Sequence, residues 1–449
     1  MKLKGKNISE FMRDHVSLID WVFLGIITFF CFIAYQEGDI WHTGGSSIAY
    51  LNGHIWDFYE YNKEYVVANN YMPTTYILFA IWNIPVRILG LITEPALIAN
   101  LPVRMWYKLG TTLLFCATAF LIYRICSLKG ASKANSIWAA FLFVSNPIAV
   151  YSQYIFGQYD IITTFFMVLG YYYYLKENNK GFVFSFAVAL TCKYFALLVF
   201  LPLVLLREKN VWKVICNCLG VASLFIIETL FYLHSSAFVE GVFGFNAAGY
   251  FTSTTIPTAM PDICVIIVAW IVLCVFAFFK DTSSKDEKFK WSIFLSCCVM
   301  FISFGLSFWH PQWLLMAIPF LVLGVIFSEK PDIFLLIDTV MMGVFVVYVV
   351  NVWSGIADQT TLCGGVFSSF LPKSFGEVSM SQLFRFSDVD LLFSAFVGLL
   401  LSYVIFLQPS KLNTENPKSI ENYKGIIRLR YIGGVLFFVI PSLLCVFML

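Results

Sequence analysis

The sequence predicts an all-α polytopic membrane protein, and three observations carry that reading. Apolar residues make up 59% of the 449-residue chain and charged residues only 12%, against about 25% charged in an ordinary soluble domain. The apolar residues fall in blocks of roughly 15 to 22, which at 1.5 Å per residue match a hydrocarbon core of about 30 Å. Short clusters of Lys, Asp, Glu, Gly and Pro separate the blocks. A chain this apolar cannot hide its surface in water, so its solvent is a lipid bilayer.

Taken in order, the candidate spans are 16–35, 107–126, 137–154, 161–175, 182–206, 214–233, 263–279, 291–309, 313–327, 333–350, 391–407 and 431–449. The first follows Lys2, Lys4, Lys6 and Arg13 and lacks a small-residue cleavage site, so it reads as an uncleaved span behind a cytoplasmic segment 1–15. Segment 182–206 is long enough for one tilted helix. Both its flanks are basic, however: Lys176 and Lys180 before it, Arg207, Lys209 and Lys213 after it. Two short helices turning near Lys193 place all these cations on one side and leave only Lys373 and Arg385 opposite in the remainder of the chain, which the positive-inside rule favours. The expectation is then about 13 transmembrane helices with a cytoplasmic N-terminus.

This sidedness puts the long polar segments outside: 36–106, 234–262 and 351–390. Spans two to seven occupy 107–233 and spans eight to eleven 263–350, while 391–449 holds the last two spans around a cytoplasmic loop 408–430. Within the first loop, segment 72–91 is apolar but interrupted by Pro73, Pro85 and Arg87, as suits a helix at the outer interface. The loop is also rich in aromatics, among them Tyr50, Trp56, Phe58, Tyr59, Tyr61, Tyr65 and Tyr71, suited to interfacial anchoring or to stacking on sugar faces.

Most of the twelve cysteines lie inside apolar blocks, where Cys acts as a small hydrophobe. The net charge of +2 and the scattering of basic residues give no footprint for nucleic acid. No phosphate-cradling glycine loop, zinc spacing or nucleophile elbow occurs. Glu37, Asp39 and His42 form only a loose cluster for a divalent cation, so no cofactor is indicated.

A charged group in or beside a span needs a partner or a task. Four places stand out. Gln36-Glu37-Gly38-Asp39 follows the first span directly, where acidic residues also serve as plain solvated loop residues. Phe156-Gly157-Gln158-Tyr159-Asp160 joins two spans, with Asp160 either functional or a first-turn acid favoured by the helix dipole. Lys193 stands at the tip of the presumed hairpin, suited to a lipid phosphate or to snorkelling. Trp309-His310-Pro311-Gln312-Trp313 is a turn with almost no loop. The topology places all four on the outer side.

Together these four places resemble the GT-C superfamily of polyprenyl-phosphate-sugar glycosyltransferases, particularly its bacterial mannosyltransferase-like members. The likeness rests on the acid after span one, a proline-containing interfacial stretch before span two, Gly-Gln-Tyr-Asp after Asn-Pro, and His-Pro-Gln-Trp before a Pro-Phe-Leu helix. It is clearest over 137–206 and 301–323. The resemblance implies a GT-C fold in the plasma membrane, an extracytoplasmic site, Asp39 as catalytic base with Glu37 in reserve, and Lys193, Arg104, Lys63, His310, Asp160, Gln158 and Gln312 around the donor phosphate and sugar. It also implies an acceptor groove near Tyr59, Tyr71 and Tyr76, although Met72-Pro73-Thr74-Thr75-Tyr76 stands where many relatives carry consecutive prolines. The implied partners are a polyprenyl-phosphate-sugar donor and a glycan, polymer or protein acceptor, with inversion at the anomeric carbon. Two other classes remain open: a polysaccharide polymerase or ligase, which calls for more Arg outside, and a transporter or flippase, in which Asp20, Glu228 and Asp338 would act as relays.

Overall fold

The computed structural model describes residues 16–36, 38–65, 67–95, 100–244, 249, 252–259, 261–353, 365–369 and 385–447. Over these residues the chain is a helical membrane protein with a single two-stranded sheet, Thr255–Ile256 against Ile263–Cys264. Helix α1 (Leu18–Ala34) starts at Ser17, whose Oγ accepts from the Asp20 amide. The chain then turns by 69° into α2 (Gly38–Ser46) and α3 (Ile48–Leu51), so this stretch leaves the axis of the first helix. After α4 (Phe58–Glu64), α5 (Pro73–Ile88) exposes Ile77, Ile81, Ile84 and Ile88 on one stripe and buries Thr75, Tyr76, Phe79 and Asn83 on the other. An apolar exposed stripe on a helix beside the bundle suits the lipid interface.

The bundle continues with α6 (Leu101–Leu128) and α7 (Lys133–Val144). Segment 137–154 is not one straight helix. Asn146 caps a new helix, α8 (Pro147–Val150), by accepting from the amides of Ile148 and Ala149, and Pro147 offers no amide to continue the old one. The axis bends by 52° there, and α8 runs into a wide π-type turn, Tyr151–Phe156, that ends at Gly157. Next come α9 (Asp160–Leu175), α10 (Asn179–Cys192), α11 (Phe195–Arg207), α12 (Val211–Tyr232), α13 (Val265–Phe279) and α14 (Lys285–Gly305). A 3-10 turn (Pro311–Met316), α15 (Ile318–Phe327), α16 (Pro331–Val352), α17 (Val389–Phe406) and α18 (Lys424–Phe447) complete the order.

Segment 182–206 is two helices, α10 and α11, broken at Lys193 and Tyr194. They fold back on each other: Phe182 stacks on Phe200 with ring centroids 5.0 Å apart, and Arg207 at the end of α11 bonds Asn179 at the start of α10. Among the described residues five helices are long and apolar enough to cross a membrane, seven if each bent pair counts once. The hairpin helices are shorter: α10 has 14 residues, about 21 Å at 1.5 Å per residue.

The helix ends gather at two poles. At one, Lys285 pairs with Glu177 at 2.8 Å, Lys209 donates to the carbonyls of Ala277, Phe278 and Lys280, and Asn135 donates to Lys418 O at 2.8 Å. The opposite pole holds α2 to α5, Gly157, the tip of the α10–α11 hairpin and the His310 turn. Two ion pairs pin α18 inside the bundle: Arg428 to Asp20 of α1 at 2.8 Å, and buried Arg430 to Asp338 of α16 at 2.5 Å.

Candidate active site

Asp39 stands in the first turn of α2, and its Oδ2 accepts from Gln158 Nε2 at 2.7 Å. Gln158 reaches it because Gly157 adopts φ of 75°, a left-handed conformation open to glycine at little cost. The amides of Gly157 and Gln158 both donate to Ser152 O, which fixes the turn. Below it lies Lys108, 1% exposed, with Nζ within 2.6 to 3.2 Å of the carbonyls of Cys31, Phe32, Tyr35 and Tyr154. This one ammonium satisfies carbonyls left over at the end of α1 and in the π-type turn. It therefore ties together the two segments from which Asp39 and Gln158 hang.

Across the site, Lys193 at the hairpin tip pairs with Asp160 at the start of α9, with the two side chains 9% and 1% exposed. The ammonium also lies 5.3 Å from the Tyr159 ring centre and 5.5 Å from that of Trp313. His310 lies between Trp313 and Trp353, at ring-centre distances of 4.9 and 4.5 Å. Burial, helped by nearby Lys193, lowers its pKa to about 4. The imidazole is thus neutral at physiological pH and can donate one N–H but supplies no positive charge.

Two cavities meet at Asp39. One, about 490 Å³, has Lys193, Gln158, His310, Gln312 and Trp313 on one side and apolar Phe225 and Phe243 on the other. The second, about 420 Å³, is polar, with His42, Thr43, Asn69, Asn70 and Glu240 among its walls. Asp39, Asn70 and Tyr71 line both. Burial raises the pKa of Asp39; Lys193, His42 and the Gln158 amide pull it down, and Asp160 adds to the rise. Of the Gln158 and Gln312 amides, both Oε1 atoms are buried without a hydrogen-bond partner among the described residues, so each carries an unmet acceptor that a ligand hydroxyl can satisfy.

The structure thus brings together Asp39, Gln158, Asp160, Lys193, His310, Gln312 and Tyr71. It does not bring the others to the cavities as expected. Tyr59 and Tyr76 are fully buried behind Tyr71, where Tyr59 Oη donates to Tyr71 O at 2.8 Å and Tyr76 Oη accepts the Tyr71 amide at 3.3 Å. They hold Tyr71 in place and are not walls of a groove. Arg104 lies within α6, which starts before the expected loop end, and its guanidinium covers the Trp41 ring at 4.3 Å. Lys63 pairs with Glu240 at 2.6 Å on the exposed edge of the polar cavity, away from Lys193. Glu37 lies outside the described residues. Among those described, no three of His, Cys, Asp and Glu converge as a metal site would require.

Sequence reasoning missed Lys108, Asn69 and Asn70. A lysine inside an apolar block was a signal, since an intramembrane cation needs a task. The two asparagines gave none, because their role depends on a cavity assembled from separate segments. Comparison with family models, curated proteins and solved structures gives no match for this chain.

Proposed function

We propose that the protein is a multi-pass membrane glycosyltransferase that moves one sugar from a polyprenyl-phosphate donor to a hydroxyl of an extracytoplasmic glycan, polymer or protein, with Asp39 as general base. The observation that carries this reading is the carboxylate of Asp39 at the shared wall of two unlike cavities. One joins a cation and amides to apolar walls, as a lipid-linked phosphate sugar requires; the other is polar, as an acceptor sugar or hydroxyl requires. The pole rich in Lys and Arg, at Lys176, Lys180, Arg207, Lys209, Lys280 and Lys285, supports a cytoplasmic assignment for that end. The Asp39 pole is then extracytoplasmic and the chain crosses about 13 times, some crossings being short or broken.

In this mechanism the acceptor hydroxyl lies in the polar cavity and gives its proton to Asp39 Oδ1 or Oδ2. Its oxygen bonds to the anomeric carbon from the face opposite the phosphate, so the configuration inverts. The anomeric carbon–oxygen bond breaks and its electron pair leaves on polyprenyl phosphate. Lys193, preset by Asp160, and the N–H of neutral His310 face the oxygens on which charge accumulates, so they stabilise the transition state more than the ground state. A raised pKa makes Asp39 a stronger base than a solvated aspartate.

Of the three relay candidates Asp20 and Asp338 are committed to arginine partners, which leaves only buried Glu228, bonded to Thr74, and a single carboxylate makes no relay chain. The purified protein, given a panel of polyprenyl-phosphate monosaccharides and membrane extract, should transfer at least one radiolabelled sugar with inversion. Failure of the whole panel to bind or transfer would sink the transferase reading.

A further inference from the structure

A third cavity, about 900 Å³, shares no lining residue with the two at Asp39. It is a side groove between α10 and α12, and α10 runs from this groove at Asn179 to the active-site pole at Cys192. At the basic pole its head is formed by Lys180, Arg207, Lys213 and Lys288 with Glu177 and Glu208. Glu177 pairs with Lys285 at 2.8 Å and Glu208 with Lys213 at 3.8 Å, whereas Lys180 and Lys288 make no ion pair among the described residues. The head thus keeps an excess of positive charge.

From this head the groove becomes apolar. Val183, Phe184 and Ala187 form one wall, and Leu224 and Ile227 the other. The floor is set where the helices touch, for a Cβ on Gly220 would stand 2.8 Å from Val183 Cγ1. Along α12 the wall runs from Lys213 to Ile227, about 20 Å at 1.5 Å per residue. A cationic head opening into an apolar trough, on a helix whose outer face is exposed at Leu219, Ile226 and Leu230, complements one class of molecule.

We propose that this groove is a binding site for an anionic phospholipid, with the headgroup phosphate among Lys180, Arg207, Lys213 and Lys288 and an acyl chain along Val183, Ala187, Leu224 and Ile227. Basic residues at the membrane surface attract anionic headgroups, and the trough adds apolar burial that a free phosphate would not gain. The site is independent of the transferase reading, because it uses other residues at the other pole.

The test uses the full chain in detergent, equilibrated with dioleoyl phosphatidylglycerol or dioleoyl phosphatidylcholine and read by native mass spectrometry. Wild type should retain phosphatidylglycerol at least tenfold better than phosphatidylcholine. The triple variant K180Q/K213Q/K288Q should lose at least tenfold of that retention. Ser223→Trp, at an exposed position on the groove wall, should also lose it while all the cations remain. Equal retention of the two lipids by wild type, unchanged retention by the triple variant, or full retention by Ser223→Trp would each overturn the proposal, the last by reducing the site to a basic surface patch.

Discussion

Replacing Lys193 by Met removes the cation from a pair in which Asp160 is 1% exposed and Lys193 9%. Breaking a buried pair from one side strands the other charge and costs about 3 to 5 kcal/mol. Asp160→Asn leaves the opposite orphan, an unpaired ammonium that still lines the 490 Å³ cavity beside Asp39. The double variant leaves neither charge, and removal of both members of a buried pair restores stability to within about 1 to 2 kcal/mol of wild type. Donor binding separates the two roles of the lysine. Lys193→Met and the double variant should both bind polyprenyl-phosphate sugar at least tenfold more weakly, about 1.4 kcal/mol, while Asp160→Asn keeps the donor despite its lower stability. Denaturant unfolding in detergent gives the first quantity and equilibrium binding of labelled donor the second. A double variant that regains donor affinity along with stability would refute the reasoning, because Lys193 would then serve only as counter-ion to Asp160.

Gly157→Ala forces a side chain into a left-handed backbone with φ of 75°, which costs about 1 to 2 kcal/mol. Because the same turn aims Gln158 at Asp39, transfer should fall further than unfolding stability does, measured side by side. Asp39 works as a base only when ionised, and its raised pKa means that activity is lost as pH falls through that raised value. The Gln158 amide holds that pKa down, so Gln158→Ala should move the acidic limb of the pH–rate profile to higher pH; an unmoved limb would detach Gln158 from the base. Asp338→Asn leaves buried Arg430 without its carboxylate and should lower stability by about 3 kcal/mol or more, yet the folded fraction should transfer sugar at the wild-type rate, in contrast to a relay residue.

The membrane character of the chain was legible because hydrocarbon imposes a length on apolar blocks, and the block boundaries at 161–175, 214–233 and 333–350 fall close to α9, α12 and α16. The division of 182–206 was legible too, from the charges on its flanks. The break within 137–154 was not read, although Asn146-Pro147 carried it as a cap followed by a residue with no amide. The candidate site was legible where a charge stands at a span end, as at Asp39, Asp160 and Lys193. It was not legible where function is distributed over packing. Aromatic density alone does not tell which ring is buried, so Tyr59 and Tyr76 looked like Tyr71. The carbonyls around Lys108 belong to residues 46 to 77 positions away, so no local spacing announces them. The polar cavity joins Asn69 and Asn70 to Glu240, about 170 positions further along the sequence.

The central claim is that Asp39 takes the acceptor proton from between a donor cavity and an acceptor cavity. Asp39→Asn keeps the size of the side chain and its hydrogen-bonding reach to Gln158 while removing the base, so it separates binding from chemistry. With purified protein, donor binding measured at equilibrium should stay within a few-fold of wild type. Single-turnover transfer of the labelled sugar should fall by about 10² to 10⁴. Transfer at the wild-type rate by a variant that binds donor normally would contradict the claim and leave Asp39 a structural carboxylate.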